Sequence, residues 1–158
     1  MIEIRNKYSI VKNDLKITSR VSNFDTIKKF PSNFALHPYF PWVTSLNEKL
    51  NTAIKVSIAS GNRRFVINQG DIISDGRDYL NLDPKGETVE FAIREYGKVK
   101  IKTRGFGYLL IWTDNIKYIC FEPIQCKPQD FLRSDVGSFI NPGQTKTFTC
   151  SFSFDFEL

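Results

Sequence analysis

Two side chains in this sequence could exchange protons with a bound molecule. His37, the single histidine of the chain, lies in the aromatic and proline-rich segment 34–42, and an imidazole gains or loses a proton near neutral pH. Glu122 ends an apolar run and precedes Pro123, and a carboxylate at the end of a buried strand is a candidate general base. A structural histidine and an exposed strand-terminal glutamate fit the same residues, so both interpretations stay open.

Aromatic rings surround the histidine in the sequence. Tyr39, Phe40 and Trp42 follow His37 closely, and such rings offer flat apolar surface of the kind that stacks on the C–H faces of sugars. Several aspartates follow turn signals, and Asp78 is the one that precedes the strand-like residues 79–82. Most turn aspartates bond their own backbone, so periodicity cannot select which of them would contact a ligand.

The cysteines do not form a recognisable metal or disulfide pattern. Cys120, Cys126 and Cys150 include no CxxC pair, and one histidine accompanies them. Those residues are too few for a zinc site built from cysteine and histidine, and an odd number of cysteines argues against a disulfide framework. We therefore expect three buried thiols, no metal and no cofactor.

The elements that must position these residues are strands. Apolar and polar residues alternate in 15–21, 88–93, 98–102 and most clearly in 148–157, and a period of two is typical of half-buried antiparallel strands. Turn signals recur at short intervals between the runs. This pattern predicts an all-β antiparallel sandwich formed by a single domain, residues 1–158. It leaves room for about one helical turn, near 45–50 or 128–132.

Composition narrows the classes of protein further. The 158 residues are 41% hydrophobic, which is enough for one domain with a core of its own. A net charge of +5 is carried by scattered basic residues, so we expect no specific nucleic-acid partner. The longest apolar runs fall far short of the roughly 20 residues that span a bilayer. We expect a cytoplasmic protein with no membrane segment.

The motifs together resemble the aldose 1-epimerase (galactose mutarotase-like) family. Residues 33–40 resemble the histidine loop of that family, and 108–113 followed by 118–123 resemble its "W-T … C-x-E-P" strand pair. Residues 13–23 and 141–144 agree in order and spacing with two further features of the family. The resemblance covers nearly all of this chain but only the C-terminal half of the family. It implies a truncated version of the large antiparallel β-sandwich.

The resemblance also implies a function and roles for named residues. The family interconverts the α and β anomers of a hexose by opening the sugar ring with an acid and a base, and needs no cofactor. His37 matches the general acid that protonates the ring oxygen, and Glu122 matches the general base that takes the proton from the C1 hydroxyl. Asp78 is the best match to an aspartate that contacts sugar hydroxyls. The expected substrate-binding rings are Tyr39, Phe40, Trp42 and Trp112.

Two alternatives follow from what the chain does not match. The family carries a second histidine and a substrate-binding arginine upstream of the histidine loop, and neither has a counterpart in this sequence. One alternative is a non-catalytic or vestigial carbohydrate-binding domain. The other is one subunit of a split epimerase that a complementary chain completes. Either that chain or a second copy of this one would cover the exposed sheet.

Overall fold

The computed structural model of the protein describes residues 1–41, 53–58, 61–66, 79–93, 97–112, 118–133 and 139–155. Within these ranges the chain is built from antiparallel strands, as the sequence predicts. One short 3₁₀ helix, η1 (Pro128–Asp130), falls in one of the two segments expected to hold a helical turn. No helix of the described residues is long and apolar enough to cross a membrane. The strands are β1 (Ile2–Val11), β2 (Asp14–Asn23), β3 (Phe30–Pro31), β4 (Tyr39–Pro41), β5 (Ala53–Ile58), β6 (Gly61–Val66), β7 (Tyr79–Asn81), β8 (Glu87–Ile93), β9 (Gly97–Arg104), β10 (Tyr108–Trp112), β11 (Tyr118–Ile124), β12 (Phe139–Ile140) and β13 (Thr145–Asp155).

The larger sheet has the strand order β1-β2-β13-β9-β8-β5-β6. Its inner strand β13, between β2 and β9, buries Phe148, Cys150 and Phe152, while the residues between them are more exposed. Successive side chains of a strand point to opposite faces, so this alternation turns one face of the sheet toward the core. The half-buried strand predicted for residues 148–157 is therefore confirmed up to residue 155, the last one that the structure describes.

The smaller sheet has the order β4-β11-β10-β7. Leu109 and Ile111 of β10 and Ile119 and Phe121 of β11 are fully buried, and alternation places them on one face. That face joins the core residues of the larger sheet in a single apolar cluster. The two sheets therefore form the two layers of a β-sandwich.

A buried amide fixes the chain where it leaves the larger sheet toward the histidine segment. The Asn23 side chain donates hydrogen bonds to the carbonyl oxygens of Lys28 (2.8 Å) and Ile140 (3.0 Å). Its oxygen accepts a third from the Asp25 N–H at 3.0 Å. Ile140 belongs to β12, which pairs with β3 just before the histidine segment. Asn23 thus holds the turn that directs the chain from one layer to the other.

Strand β1 lies at an edge of the larger sheet. It pairs with β2 over its whole length, and it exposes several large apolar side chains along the way. The exposed apolar residues of β1 are Ile4, Tyr8, Ile10 and Val11. An edge strand with apolar side chains is a surface on which another strand can pair.

Candidate functional site

The histidine segment runs beside β11 as an additional antiparallel stretch. Residues 35–39 keep one constant register with residues 120–124, from an isolated bridge at one end to the β4 pairing at the other. The backbone hydrogen bonds at both ends of this stretch measure 2.9 to 3.4 Å. The register places His37 directly opposite Glu122. Opposed residues of antiparallel chains lie on the same face.

Polar side chains anchor the start of this segment to the end of β11. The Asn33 side-chain oxygen accepts a hydrogen bond from the Cys126 N–H at 3.1 Å. The Gln125 side-chain oxygen accepts hydrogen bonds from the Ser32 hydroxyl (3.2 Å) and the Phe34 N–H (3.4 Å). These bonds satisfy backbone groups outside the regular sheet. They set the position of the chain just before His37.

The imidazole and the carboxylate are in direct contact. His37 Nε2 lies 3.3 Å from Glu122 Oε1. The Glu122 side chain is 8% exposed and the His37 side chain is 51% exposed. Glu122 is held within the sheet between β10, where it pairs with Leu110, and the histidine segment. One member of the pair is therefore fixed and shielded, and the other is accessible from solvent.

Cys120 lies two residues before Glu122 and is completely buried. Its burial and the negative charge of Glu122 raise the pKa of the thiol to about 12. The thiol therefore stays protonated at neutral pH. Cys126 and Cys150 are buried as well, and none of the three forms a disulfide, so the expectation of three buried thiols is confirmed.

Two tyrosine rings in contact with each other lie next to the His37–Glu122 pair. Tyr39 is opposite Cys120 in the register and is 52% exposed. Its ring meets that of Tyr118 edge-on, with centroids 4.9 Å apart. Tyr39 lies on the same face as His37, two residues away. The structure therefore brings three of the expected site residues, His37, Tyr39 and Glu122, onto one face.

Phe40 is not part of this group. It is 5% exposed and its side chain lies on the opposite face of β4, toward the core. Its ring is 5.8 Å from that of Phe121, 5.9 Å from that of Phe152 and 6.2 Å from that of Phe154. In this position Phe40 packs between the two sheets and is turned away from the His37–Glu122 pair.

The remaining expected residues are less fully described. Trp42 and Asp78 lie outside the described residues. Trp112 is the last residue of β10, where its backbone pairs with Cys120. Its side chain is not among those that the structure describes. Sequence reasoning did not assign a role to Cys120 or Tyr118. Alternation along β11, which is visible in the sequence, puts both on the face of Glu122.

A separate cavity lies beside Tyr108, at the start of β10. Its volume is about 690 Å³, and Tyr108, Gln125 and Lys146 are among the residues that line it. Burial lowers the pKa of the Lys146 ammonium group. Neither His37 nor Glu122 lines this cavity, so it is distinct from the acid–base pair.

Comparison with known proteins supports the fold. No protein-family model matches the sequence, and no curated protein matches it either. Among solved structures, 99% of the chain is similar to the Slr1438 protein of Synechocystis sp. PCC 6803 (TM-score 0.68, 19% identity, 55% of that chain). Two others carry the description "putative aldose 1-epimerase". The one from Escherichia coli K12 matches 98% of this chain (TM-score 0.61, 16% identity, 60% of that chain). The one from Klebsiella pneumoniae matches 97% (TM-score 0.65, 12% identity, 46% of that chain).

These similarities have two consequences. At such low identity they establish the sandwich fold and leave the activity open. The chain spans roughly half of the length of the structures that it matches, from 46% to 60%. The fold expected from the resemblance is therefore confirmed, while the activity and substrate of the longer proteins belong to the proposal below.

Proposed function

We propose that this protein is a mutarotase-type domain that interconverts the α and β anomers of a hexose. The observation that carries the proposal is the 3.3 Å contact between His37 Nε2 and Glu122 Oε1. Ring opening moves two protons, one at the C1 hydroxyl and one at the ring oxygen. Both oxygens are bonded to C1, so an acid and a base that lie side by side can reach both of them.

The mechanism needs no net gain or loss of protons. Glu122 takes the proton of the C1 hydroxyl while protonated His37 donates its proton to the ring oxygen. The bond between C1 and the ring oxygen breaks, and a C1 carbonyl forms. After rotation about the bond between C1 and C2, His37 takes its proton back from the new hydroxyl, and that oxygen attacks C1. Glu122 returns its proton to the carbonyl oxygen, which completes the other anomer.

The neighbouring side chains would hold the sugar. Tyr39 is half-exposed on the face of His37 and offers its ring to the C–H face of the sugar. In this proposal Trp42 and Trp112 add further aromatic surface, and Asp78 accepts hydrogen bonds from sugar hydroxyls. Phe40 contributes by packing behind the site instead of touching the sugar.

A second candidate is a carbohydrate-binding domain without catalysis. The observation that favours it is the half-exposed ring of Tyr39 on the face of His37, because such a ring can bind a sugar without any proton exchange. In this case the face of Tyr39 and His37 would bind sugar, but anomer interconversion would not accelerate. Saturable shifts of protein NMR signals on addition of glucose or galactose, with no rate increase, would select this function.

A partner chain is the third candidate, and the exposed apolar edge of β1 favours it. We propose that this edge pairs with a second copy or with a complementary chain. Light scattering of the purified protein should give a mass larger than one chain. Ile10→Lys, which adds a charge to the edge, should return the mass to that of a monomer. A wild-type mass equal to one chain would contradict pairing between copies and leave the complementary chain as the candidate.

The proposed activity is tested with freshly dissolved α-glucose and α-galactose by polarimetry. The wild-type chain, freed of any bound metal ion with EDTA, should speed the approach to anomeric equilibrium. Glu122→Gln keeps the shape of the side chain but cannot accept a proton, so its rate increase should fall by about 100-fold or more. His37→Asn should behave similarly. The matched control is Glu90→Gln, a partly exposed glutamate in β8 of the other sheet, which should leave the rate unchanged.

A further inference from the structure

A third donor atom accompanies the histidine and the glutamate. A ring nitrogen of His37, the sulfur of Cys120 and a carboxylate oxygen of Glu122 all lie within 4.8 Å of one another. Imidazole, thiolate and carboxylate are the three ligand types that zinc binds in proteins. Counting only cysteines and histidines predicts no zinc site in this sequence. The carboxylate of Glu122 supplies the ligand that such a count leaves out.

The distance between the nitrogen and the oxygen suits a tetrahedral metal ion. Bonds of about 2.0–2.1 Å from zinc to nitrogen and oxygen place those two atoms about 3.3–3.4 Å apart in a tetrahedron. The observed distance between His37 Nε2 and Glu122 Oε1 is 3.3 Å. Cys120 and Glu122 are buried in β11, whereas His37 is half-exposed. The Cys120 sulfur lies within 4.8 Å of both atoms, so side-chain movements of about 1 Å would bring all three donors onto one ion.

The number of ligands indicates the kind of site. Structural zinc ions are usually enclosed by four protein ligands, whereas three protein ligands leave one position open for water or another small molecule. Here the three donors come from adjacent backbone segments, and the exposed side of His37 faces solvent. A metal bound here would therefore keep one open position.

Charge gives the site a measurable signature. A cysteine thiol that binds no metal is mostly protonated at neutral pH. A divalent cation reverses this balance, because a coordinating thiol loses its proton. Binding at neutral pH should therefore release a proton to the buffer. A site made only of exposed carboxylates would release none.

We propose that His37, Cys120 and Glu122 form a binding site for Zn²⁺ or a metal ion of similar preference. An ion bound there would occupy the nitrogen and oxygen atoms that the acid–base reaction needs. The metal-free protein would then be the form that exchanges protons with sugar, and zinc would act as a reversible inhibitor. Metal binding itself does not depend on the proposed sugar chemistry.

The experiment uses the full chain, freed of metal with EDTA and dialysed, with Zn²⁺ and Co²⁺ as probes and no sugar present. Calorimetry with Zn²⁺ in two buffers of different ionisation enthalpy should show one ion bound and a proton released per chain. Titration with Co²⁺ should produce the charge-transfer absorption of a thiolate ligand. Cys120→Ser should abolish that absorption and weaken Zn²⁺ binding by at least about tenfold.

Cys150→Ser is the matched control, because Cys150 is also fully buried and its pKa is also raised to about 12. It should bind both ions like the wild type. His37→Asn changes a half-exposed residue and keeps the test decisive if Cys120→Ser fails to fold, as monitored by circular dichroism. The proposal is overturned if the wild type does not bind Zn²⁺, or if a folded Cys120→Ser or His37→Asn variant binds it as tightly as the wild type. Sugar interconversion, measured separately in EDTA, tests the proposed function without metal.

Discussion

Tyr39 and Phe40 are neighbours in β4 that face opposite ways, so changing each one should have a different effect. Phe40 is 5% exposed and contacts three phenylalanine rings of the core. Removing a buried phenylalanine ring costs about 3–5 kcal/mol. Since domains of this kind are stable by about 5–15 kcal/mol, Phe40→Ala should lose a large share of the free energy of unfolding.

Tyr39→Ala removes a ring that is about half-exposed. Its ring meets that of Tyr118 edge-on, and such pairs are worth about 0.5–1.5 kcal/mol. Because half of the ring is already in solvent, the variant should lose clearly less stability than Phe40→Ala does. It should nevertheless bind sugar more weakly, because Tyr39 lies on the face of His37.

Urea unfolding followed by circular dichroism measures the first quantity, and titration with glucose or galactose followed by NMR measures the second. Phe40→Ala should shift the urea midpoint strongly with an unchanged slope. Tyr39→Ala should shift it little and weaken sugar binding. The reasoning is refuted if Tyr39→Ala destabilises the protein as much as Phe40→Ala does. It is also refuted if Phe40→Ala keeps wild-type stability but loses sugar binding.

Two further predictions concern stability. The pKa values of Cys120 and Cys150 rise from 9.0 to about 12 on folding, so the unfolded chain loses their protons first. The free energy of unfolding should be unaffected below pH 9 and fall between pH 9 and 12 by up to about 1.4 kcal/mol per pH unit per thiol. The urea midpoint should fall less steeply with rising pH for Cys150→Ala than for the wild type. An identical pH dependence would contradict the raised pKa of Cys150. Asn23→Ala leaves the buried carbonyl of Ile140 and the carbonyl of Lys28 without the donor that they share, and should cost about 1–3 kcal/mol or more. A thermal unfolding midpoint equal to that of the wild type would exclude the bridging role of this amide.

The strands were predictable because their burial follows a local rule. In β13 alternate residues from Phe148 to Phe152 face the core, and a period of two is visible in the sequence alone. The 3₁₀ helix η1 lies in a segment where a turn of helix was expected. β4 has three residues, which is too short for a period to be read. The aromatic character of Tyr39 and Phe40 therefore suggested one role for both, although they lie on opposite faces.

The geometry of the site was not predictable from local pattern. His37 and Glu122 are far apart in the sequence, and their contact depends on the register between residues 35–39 and 120–124. Backbone hydrogen bonds and the side chains of Asn33 and Gln125 set that register. A resemblance to a known family suggested the pair, and the structure brings the two side chains into contact. The approach of the Cys120 sulfur to both of them follows from the same register.

The central claim is that Glu122 and His37 act together as base and acid on a sugar. The most direct measurement compares the rate of α-glucose interconversion for equal concentrations of folded, EDTA-treated wild type and Glu122→Gln. The account predicts acceleration by the wild type and a loss of about 100-fold or more in the variant. Equal acceleration by the two proteins, or no acceleration by the wild type with either glucose or galactose, would contradict it.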